Sequence, residues 1–126
     1  MNHLTLHELD LAYSDGEEQV RALDHVSLRV DGGELVAVAG ASGSGKSSLL
    51  AVAGALRTPD SGRVEIGDVD ITALDARRRA EVRRRKIGFV FQQSNLFDAL
   101  TATDQLLYQA QVAGIPEGEA RDREAE

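Results

Sequence analysis

The residues best suited to chemistry are consecutive: Gly40-Ala41-Ser42-Gly43-Ser44-Gly45-Lys46-Ser47, followed by Ser48. They fit the pattern G-x-x-x-x-G-K-[ST] at every specified position. Phosphate oxygens need several donors converging on one small volume. A sharply turning loop aims successive backbone N–H groups inward, and glycine alone allows such close approach at positive φ. Lys46 would place a mobile ammonium near the β- and γ-phosphates of a nucleotide, and Ser47 would offer a hydroxyl to Mg²⁺. The bland reading is a flexible Gly/Ser connection that happens to contain a lysine. Against it, only two of the 14 basic residues are lysine, Lys46 and Lys86, so a lysine inside the loop of an arginine-using chain favours the phosphate reading.

Such a loop works only between a strand and a helix. The apolar run Glu34-Leu35-Val36-Ala37-Val38-Ala39 before it has the length and flanks of a buried parallel strand. Ser47 onward reads as a helix ending near Leu56, because Thr58-Pro59-Asp60-Ser61-Gly62 is turn chemistry. Its first-turn N–H groups and dipole add to the anion site. Upstream, Leu4-Thr5-Leu6 and Leu9-Asp10-Leu11 alternate with a slip of phase at His7-Glu8, which predicts a bulged or broken strand. The cluster Ser14-Asp15-Gly16-Glu17-Glu18 is a turn, and Val26 to Val30 alternates again; together they predict an antiparallel hairpin beside the strand at 34–39. Downstream, Arg63-Val64-Glu65-Ile66 is a short strand, 75–85 an arginine-rich helix, and Ile87-Gly88-Phe89-Val90-Phe91 a second apolar strand. Gln92-Gln93-Ser94-Asn95 ends it as a polar loop, Ala102 to Ala113 is a helix stopped at Gly114, and Glu117 to Glu126 begins another.

Composition narrows the class. In 126 residues, 42% are hydrophobic and 28% charged, as in a soluble globular domain. The absence of cysteine excludes disulfides, thiolate metal sites and cysteine nucleophiles. The residues from Met1 to Glu8 lack a basic region followed by an apolar one, so no signal peptide is indicated, and no run has the ~18 apolar residues of a membrane span. A net charge of −7 argues against a general nucleic-acid binder. The arginines at 77–79 and 83–85 accordingly read as a solvated helix face, the alternative being a surface for a partner subunit or a nearby membrane. His3 and His7 fall on one face of a strand and read as surface residues, not metal ligands.

These residues together resemble the N-terminal portion of the ATP-binding subunit of an ABC transporter, from about Leu4 to Gly114. Beyond the phosphate loop, three features carry the resemblance: Tyr13 ahead of the hairpin, Pro59-Asp60-Ser61-Gly62-Arg63-Val64, which is similar to the family's P-x-x-G-x-V/I turn and strand, and Lys86-Ile87-Gly88-Phe89-Val90-Phe91-Gln92, which resembles the strand leading into its glutamine loop. Arg84-Arg85-Lys86 before that strand most resembles the lipoprotein-release and macrolide-export subfamily. Asp98 departs from it, standing where proline is frequent.

The resemblance implies an α/β fold, an incomplete P-loop NTPase core with an N-terminal antiparallel β-subdomain. Residues 1–126 would be the first part of one ATP-binding domain. It implies that Tyr13 stacks on adenine, that Gly40, Ala41, Ser42, Gly43, Ser44, Gly45, Lys46, Ser47 and Ser48 hold the phosphates of ATP, and that Ser47 and Gln92 meet Mg²⁺. Gln92 would also contact the attacking water, its alternative being a polar strand terminus. Ser94 to Thr101 would meet a transmembrane permease, and a second ATP-binding subunit would complete the site, at the inner face of the plasma membrane. The family's L-S-G-G-Q signature, the acidic strand end that supplies its catalytic glutamate, and its switch histidine do not occur in the sequence; all would lie beyond residue 126. The expectation is therefore Mg-ATP binding with negligible turnover by these residues alone. A non-catalytic nucleotide-binding or regulatory fragment is the alternative. A small-molecule kinase fits worse, lacking a glutamine loop and an upstream aromatic hairpin.

Overall fold

The computed structural model describes residues 3–16, 18–93 and 95–124. Glu17 of the expected turn, Ser94 of the polar loop and the terminal residues 1, 2, 125 and 126 lie outside them. The chain divides into two compact units between Lys86 and Ile87.

The first unit is built on β1 (Leu4–Asp15), β2 (Glu18–Val30), β3 (Ser61–Ile66) and β4 (Val69–Asp70), an antiparallel sheet in the order β2-β1-β3-β4. β1 is bonded on both edges, so one of its faces must be apolar throughout. Leu6, Leu9 and Leu11 are fully buried on that face, and Leu23, Val64 and Ile71 join them. Strict alternation would send either Leu6 or Leu9 to solvent. The structure resolves this with a bulge: the β1–β2 register shifts between Leu6 and Leu9, and Glu8 takes a φ of 47°. The Glu8 N–H donates to Ser27 Oγ at 2.9 Å, and that hydroxyl donates to Glu8 Oε1 at 3.0 Å. The slip of phase at His7-Glu8 is thus the bulge that the sequence predicts. His7 is exposed and His3 half-buried.

The helices of this unit are α1 (Lys46–Ala53) and α2 (Ala76–Lys86). α1 turns Leu49, Val52 and the following Ala55 onto the sheet. Its regular turns end at Ala53, three residues before the expected Leu56. Gly54 caps it with an N–H to Leu50 O at 2.8 Å, and the reversal runs on through Leu56 N to Ala51 O at 2.9 Å. α2 buries no side chain and is the expected solvated face: Glu81 pairs with Arg84 at 2.7 Å and Arg85 at 2.5 Å. One arginine departs from that reading. Arg83 Nη1 donates to Ala55 O at 2.9 Å, tying α2 to the turn beyond α1.

The turn before β3 is fastened to the middle of β1. Asp60 N donates to Asp10 O (2.9 Å), Ala12 N donates to Asp60 Oδ2 (2.7 Å) and Ser61 Oγ donates to Asp10 Oδ2 (2.8 Å). The Ser61 hydroxyl holds the Asp10 carboxyl below the ordinary aspartate range, helped by the His25 N–H and by the charges of His25 and Arg21, against the cost of desolvation. A carboxyl with a depressed folded-state pKa stabilises the fold above its unfolded value, and that contribution disappears as pH falls through the folded value. Thermal melts in the acid range should therefore show a fall in Tm below the ordinary aspartate pKa that Asp10→Asn makes shallower. Parallel curves for the two proteins would show the tie to be energetically silent.

The second unit contains α3 (Ala102–Ala113) and α4 (Glu117–Glu124). α3 has the boundaries read from the sequence. Thr101 and Asp104 form a reciprocal capping box, and Gly114 ends the helix with a φ of 80°.

Two expectations fail. Residues 34–39 and 87–91 form no strand, and much of their apolar surface is exposed: Leu35 is 97% exposed and Val90 96%, while Ile87 and Phe89 are half-buried. A parallel strand needs a bonded neighbour and cover on both faces. Among the described residues neither run has a paired neighbour, and the sheet order leaves the outer edge of β2 without a strand from 34–39. Among the described residues the antiparallel sheet is formed, and of the expected parallel core only the loop and the helices appear.

Candidate nucleotide site

The loop at 40–45 is positioned from both ends by the first unit. Ser44 N bonds Ala41 O at 3.3 Å, closing the bend, and the first intrahelical bond runs from Leu49 N to Gly45 O at 2.8 Å. Gly45 is the pivot. Its φ of 88° lies in the left-handed region, and a β-carbon there would come 2.2 Å from Ala22 O of β2. Glycine is thus required twice, for conformation and for contact, and it seats the loop against the hairpin. Gly45 offers α1 no side-chain cap, and the first turn carries no acidic residue. The positive end of the helix is left for an external acceptor.

Lys46 is folded over this bend. Its Nζ donates to Gly40 O at 2.8 Å, Ala41 O at 2.5 Å and Ser44 Oγ at 3.3 Å. These are neutral acceptors, so the ammonium meets no counter-charge there. The stretch 40–48 contains no carboxylate, its remaining polar side chains are serine hydroxyls, and Ser42 and Ser47 are exposed. A donor set of uncapped amides, one ammonium and hydroxyls fits a polyphosphate and rejects a free cation. An exposed hydroxyl on the residue after the lysine suits a Mg²⁺ held chiefly by phosphate oxygens.

Tyr13 reaches the same place from β1. Its Oη lies 3.1 Å from Ser48 Oγ, which joins the aromatic residue to the first turn of α1. The Arg57 guanidinium carbon stands 4.1 Å from the Tyr13 ring centroid. The predicted residues Tyr13 and 40–48 are therefore brought together in one unit. Gln92 is not among them: it lies in the second unit, exposed, directly after the unpaired run 87–91.

The segment after Gln92 shows an order that the sequence does not announce. The Gln105 side-chain amide makes two bonds to the main chain of Phe97: Oε1 accepts from Phe97 N and Nε2 donates to Phe97 O, both at 3.0 Å. The Phe97 ring meets Tyr108 edge-on with centroids 5.4 Å apart. Leu96 and Phe97 nevertheless remain 65% and 50% exposed. Sequence reasoning missed Gln105, Asp60 and Arg57. An i, i+8 amide-to-backbone bond has no local signature, and the other two act on β1 residues far away in the chain.

Comparison with known proteins places this arrangement. The domain model described as ABC transporter matches residues 23–126. An uncharacterised ABC transporter ATP-binding protein of Mycobacterium tuberculosis is 42% identical over 123 residues, 98% of this chain and 37% of that protein. The macrolide export ATP-binding/permease protein MacB of Vibrio parahaemolyticus is 39% identical over 95% of the chain and 18% of its own length. A bacterial ABC transporter cassette solved as a dimer superposes with a TM-score of 0.86 at 37% identity, covering 95% of this chain and 53% of that one. A second structure of that cassette, in a post-hydrolysis state with ADP and Pi, gives 0.85. The chain thus spans about a third or less of the curated relatives' length and about half of the solved cassettes.

Proposed function

This chain belongs to the ABC transporter family, and on that footing we propose that it binds Mg-ATP at residues 40–48 as the ATP-binding part of a transporter. The observation that carries the reading is the state of Lys46: an ammonium making three bonds to neutral atoms of its own loop, at the uncapped end of a helix. A triphosphate offers that ammonium and those amides a better partner than the loop itself does.

In this reading Gly40 to Ser48 cradle the phosphates and Tyr13 takes the adenine on its ring. Ser47 would hold Mg²⁺, joined by Gln92, and the ion would supply neutralisation of the terminal phosphate charge. The solved neighbours' dimeric state and bound ADP and Pi support a site shared between two ATP-binding subunits. Asn95 to Thr101, with Ser94, form the surface for a permease partner, supported by the exposed Leu96 and Phe97 on a segment held by Gln105. The working place is then the inner face of the plasma membrane. Among the described residues no helix is long and apolar enough to cross a membrane.

Hydrolysis needs an oriented water and a base as well as charge neutralisation. The sequence holds no L-S-G-G-Q segment, and its residues 1–126 alone should release negligible phosphate. The protein expressed at the full length of its reading frame should hydrolyse ATP. Calorimetric titration with Mg-ATP tests the binding: no heat at millimolar nucleotide would remove the reading. Gln92→Ala tests the split of roles. In the full-length protein it should cut phosphate release at least about tenfold while the Kd for Mg-ATP stays within about threefold. Unchanged turnover would make Gln92 a polar chain end and nothing more.

A further inference from the structure

We propose that Arg57 is a base-positioning residue, backing the ring of Tyr13 on one face so that a purine is taken on the other. The inference rests on the nucleotide reading of Tyr13 above and adds to it a cation that sequence motifs do not mark.

Three observations carry it. The guanidinium stands 4.1 Å from the ring centroid, well inside the range of a cation–π contact. Among the residues whose side chains are described, no carboxylate lies within ion-pair distance of Arg57, and the Tyr13 ring is the group that its head meets. Its main chain is fixed too. Arg57 N bonds Ala51 O at 3.1 Å, and the intervening Ala55 is held at a φ of 57° with its carbonyl bonded by Arg83. Arg57 therefore projects from the rigid end of the same helix whose first residue is Lys46.

The consequence for Tyr13 is geometric and electronic. Its hydroxyl is tied to Ser48 in the first turn of α1, and its ring to Arg57 just beyond the last. Both ends of the side chain are thus referenced to α1, and the base reader moves with the phosphate cradle. With one face covered by a planar cation, a base has a single face to take. The cation draws π density from that face, which favours stacking by an electron-rich, extended purine over a pyrimidine. The ligand class is a purine nucleoside triphosphate, with Arg57 acting through Tyr13 and touching neither phosphate nor metal.

The test uses the full-length protein and two probes, Mg-ATP and inorganic tripolyphosphate, titrated into wild type, Arg57→Ala, Tyr13→Ala and the double variant. Arg57 is exposed, and melting curves check that each variant is folded. The expected result is a rise of about fivefold in the Kd for ATP on Arg57→Ala, with the Kd for tripolyphosphate unchanged within about twofold. In the Tyr13→Ala background the same substitution should leave ATP affinity within about 1.5-fold. Equal weakening of both probes would make Arg57 a phosphate-attracting charge and overturn the proposal. So would a fivefold loss that survives removal of Tyr13. A wild type that binds tripolyphosphate as tightly as ATP overturns the stacking role of Tyr13 alone, and one that binds neither overturns the nucleotide site itself.

Discussion

Lys46→Ala is expected to raise the Kd for Mg-ATP by about a hundredfold while leaving the fold intact. Two unit charges about 4 Å apart near a protein surface attract by about 4 kcal/mol. Against that gain stands the loss of the bonds that Lys46 makes to Gly40 O, Ala41 O and Ser44 Oγ. Those acceptors sit in an exposed loop and rehydrate when released, so the offset is about 1 kcal/mol. The difference, about 3 kcal/mol, is the hundredfold. For the fold the same substitution is nearly neutral, because neither Lys46 nor the carbonyls it holds belongs to the core of Leu6, Leu9, Leu11, Val52 and Val64. Calorimetry and far-UV circular dichroism on the same preparation separate the two effects. A variant that melts with the wild type yet binds ATP within threefold would show that the ammonium does not face phosphate.

What could be read from the sequence follows a physical boundary. The bulge at Glu8 is legible because a central strand cannot bury both Leu6 and Leu9 without one. α3 is legible end to end because its signals are local: Thr101 and Asp104 at one end, Gly114 at the other. β2 is longer than its alternating half because Glu18 to Leu23, which show no clear period, are recruited by pairing with Leu11 to Asp15. The runs 34–39 and 87–91 have the composition of parallel strands, but composition states what a segment can do when neighbours are supplied, and the described residues supply none. The site divides the same way. Gly40 to Ser48 are read from a contiguous motif, and Tyr13 enters only through the resemblance; the contact of Tyr13 with Ser48 is what the structure adds. Arg57 on Tyr13 and Asp60 on Ala12 exist only once β3 and α1 have docked on β1.

That docking has one position where a single methyl group should undo it. Gly62, the second residue of β3, has a φ of 93°, and a β-carbon there would stand 2.3 Å from Glu8 O and 2.6 Å from His7 O. The obstacle is the backbone of the central strand at its bulge, already fixed by Ser27 on the β2 side, so it has no flexible end to give way. Gly62→Ala adds the left-handed penalty of about 1–2 kcal/mol and an overpacking cost of about 1–3 kcal/mol. A domain of this size has about 5–15 kcal/mol in all, and a sheet with so small a core lies near the lower end. Gly33→Ala is the matched control: its φ is 82°, but the added carbon meets nothing within 4 Å, so it incurs the conformational part alone. Urea unfolding of the two variants should differ by the steric part, with Gly62→Ala the less stable by about 2 kcal/mol. A β1–β3 seam displaced to admit the carbon also disturbs the bond from Ala12 N to Asp60, next to Tyr13, so the folded fraction should bind ATP more weakly than Gly33→Ala does. Equal midpoints for the two variants would mean that β1 yields at Glu8, and that the bulge is a soft joint with no part in fixing Tyr13 over α1.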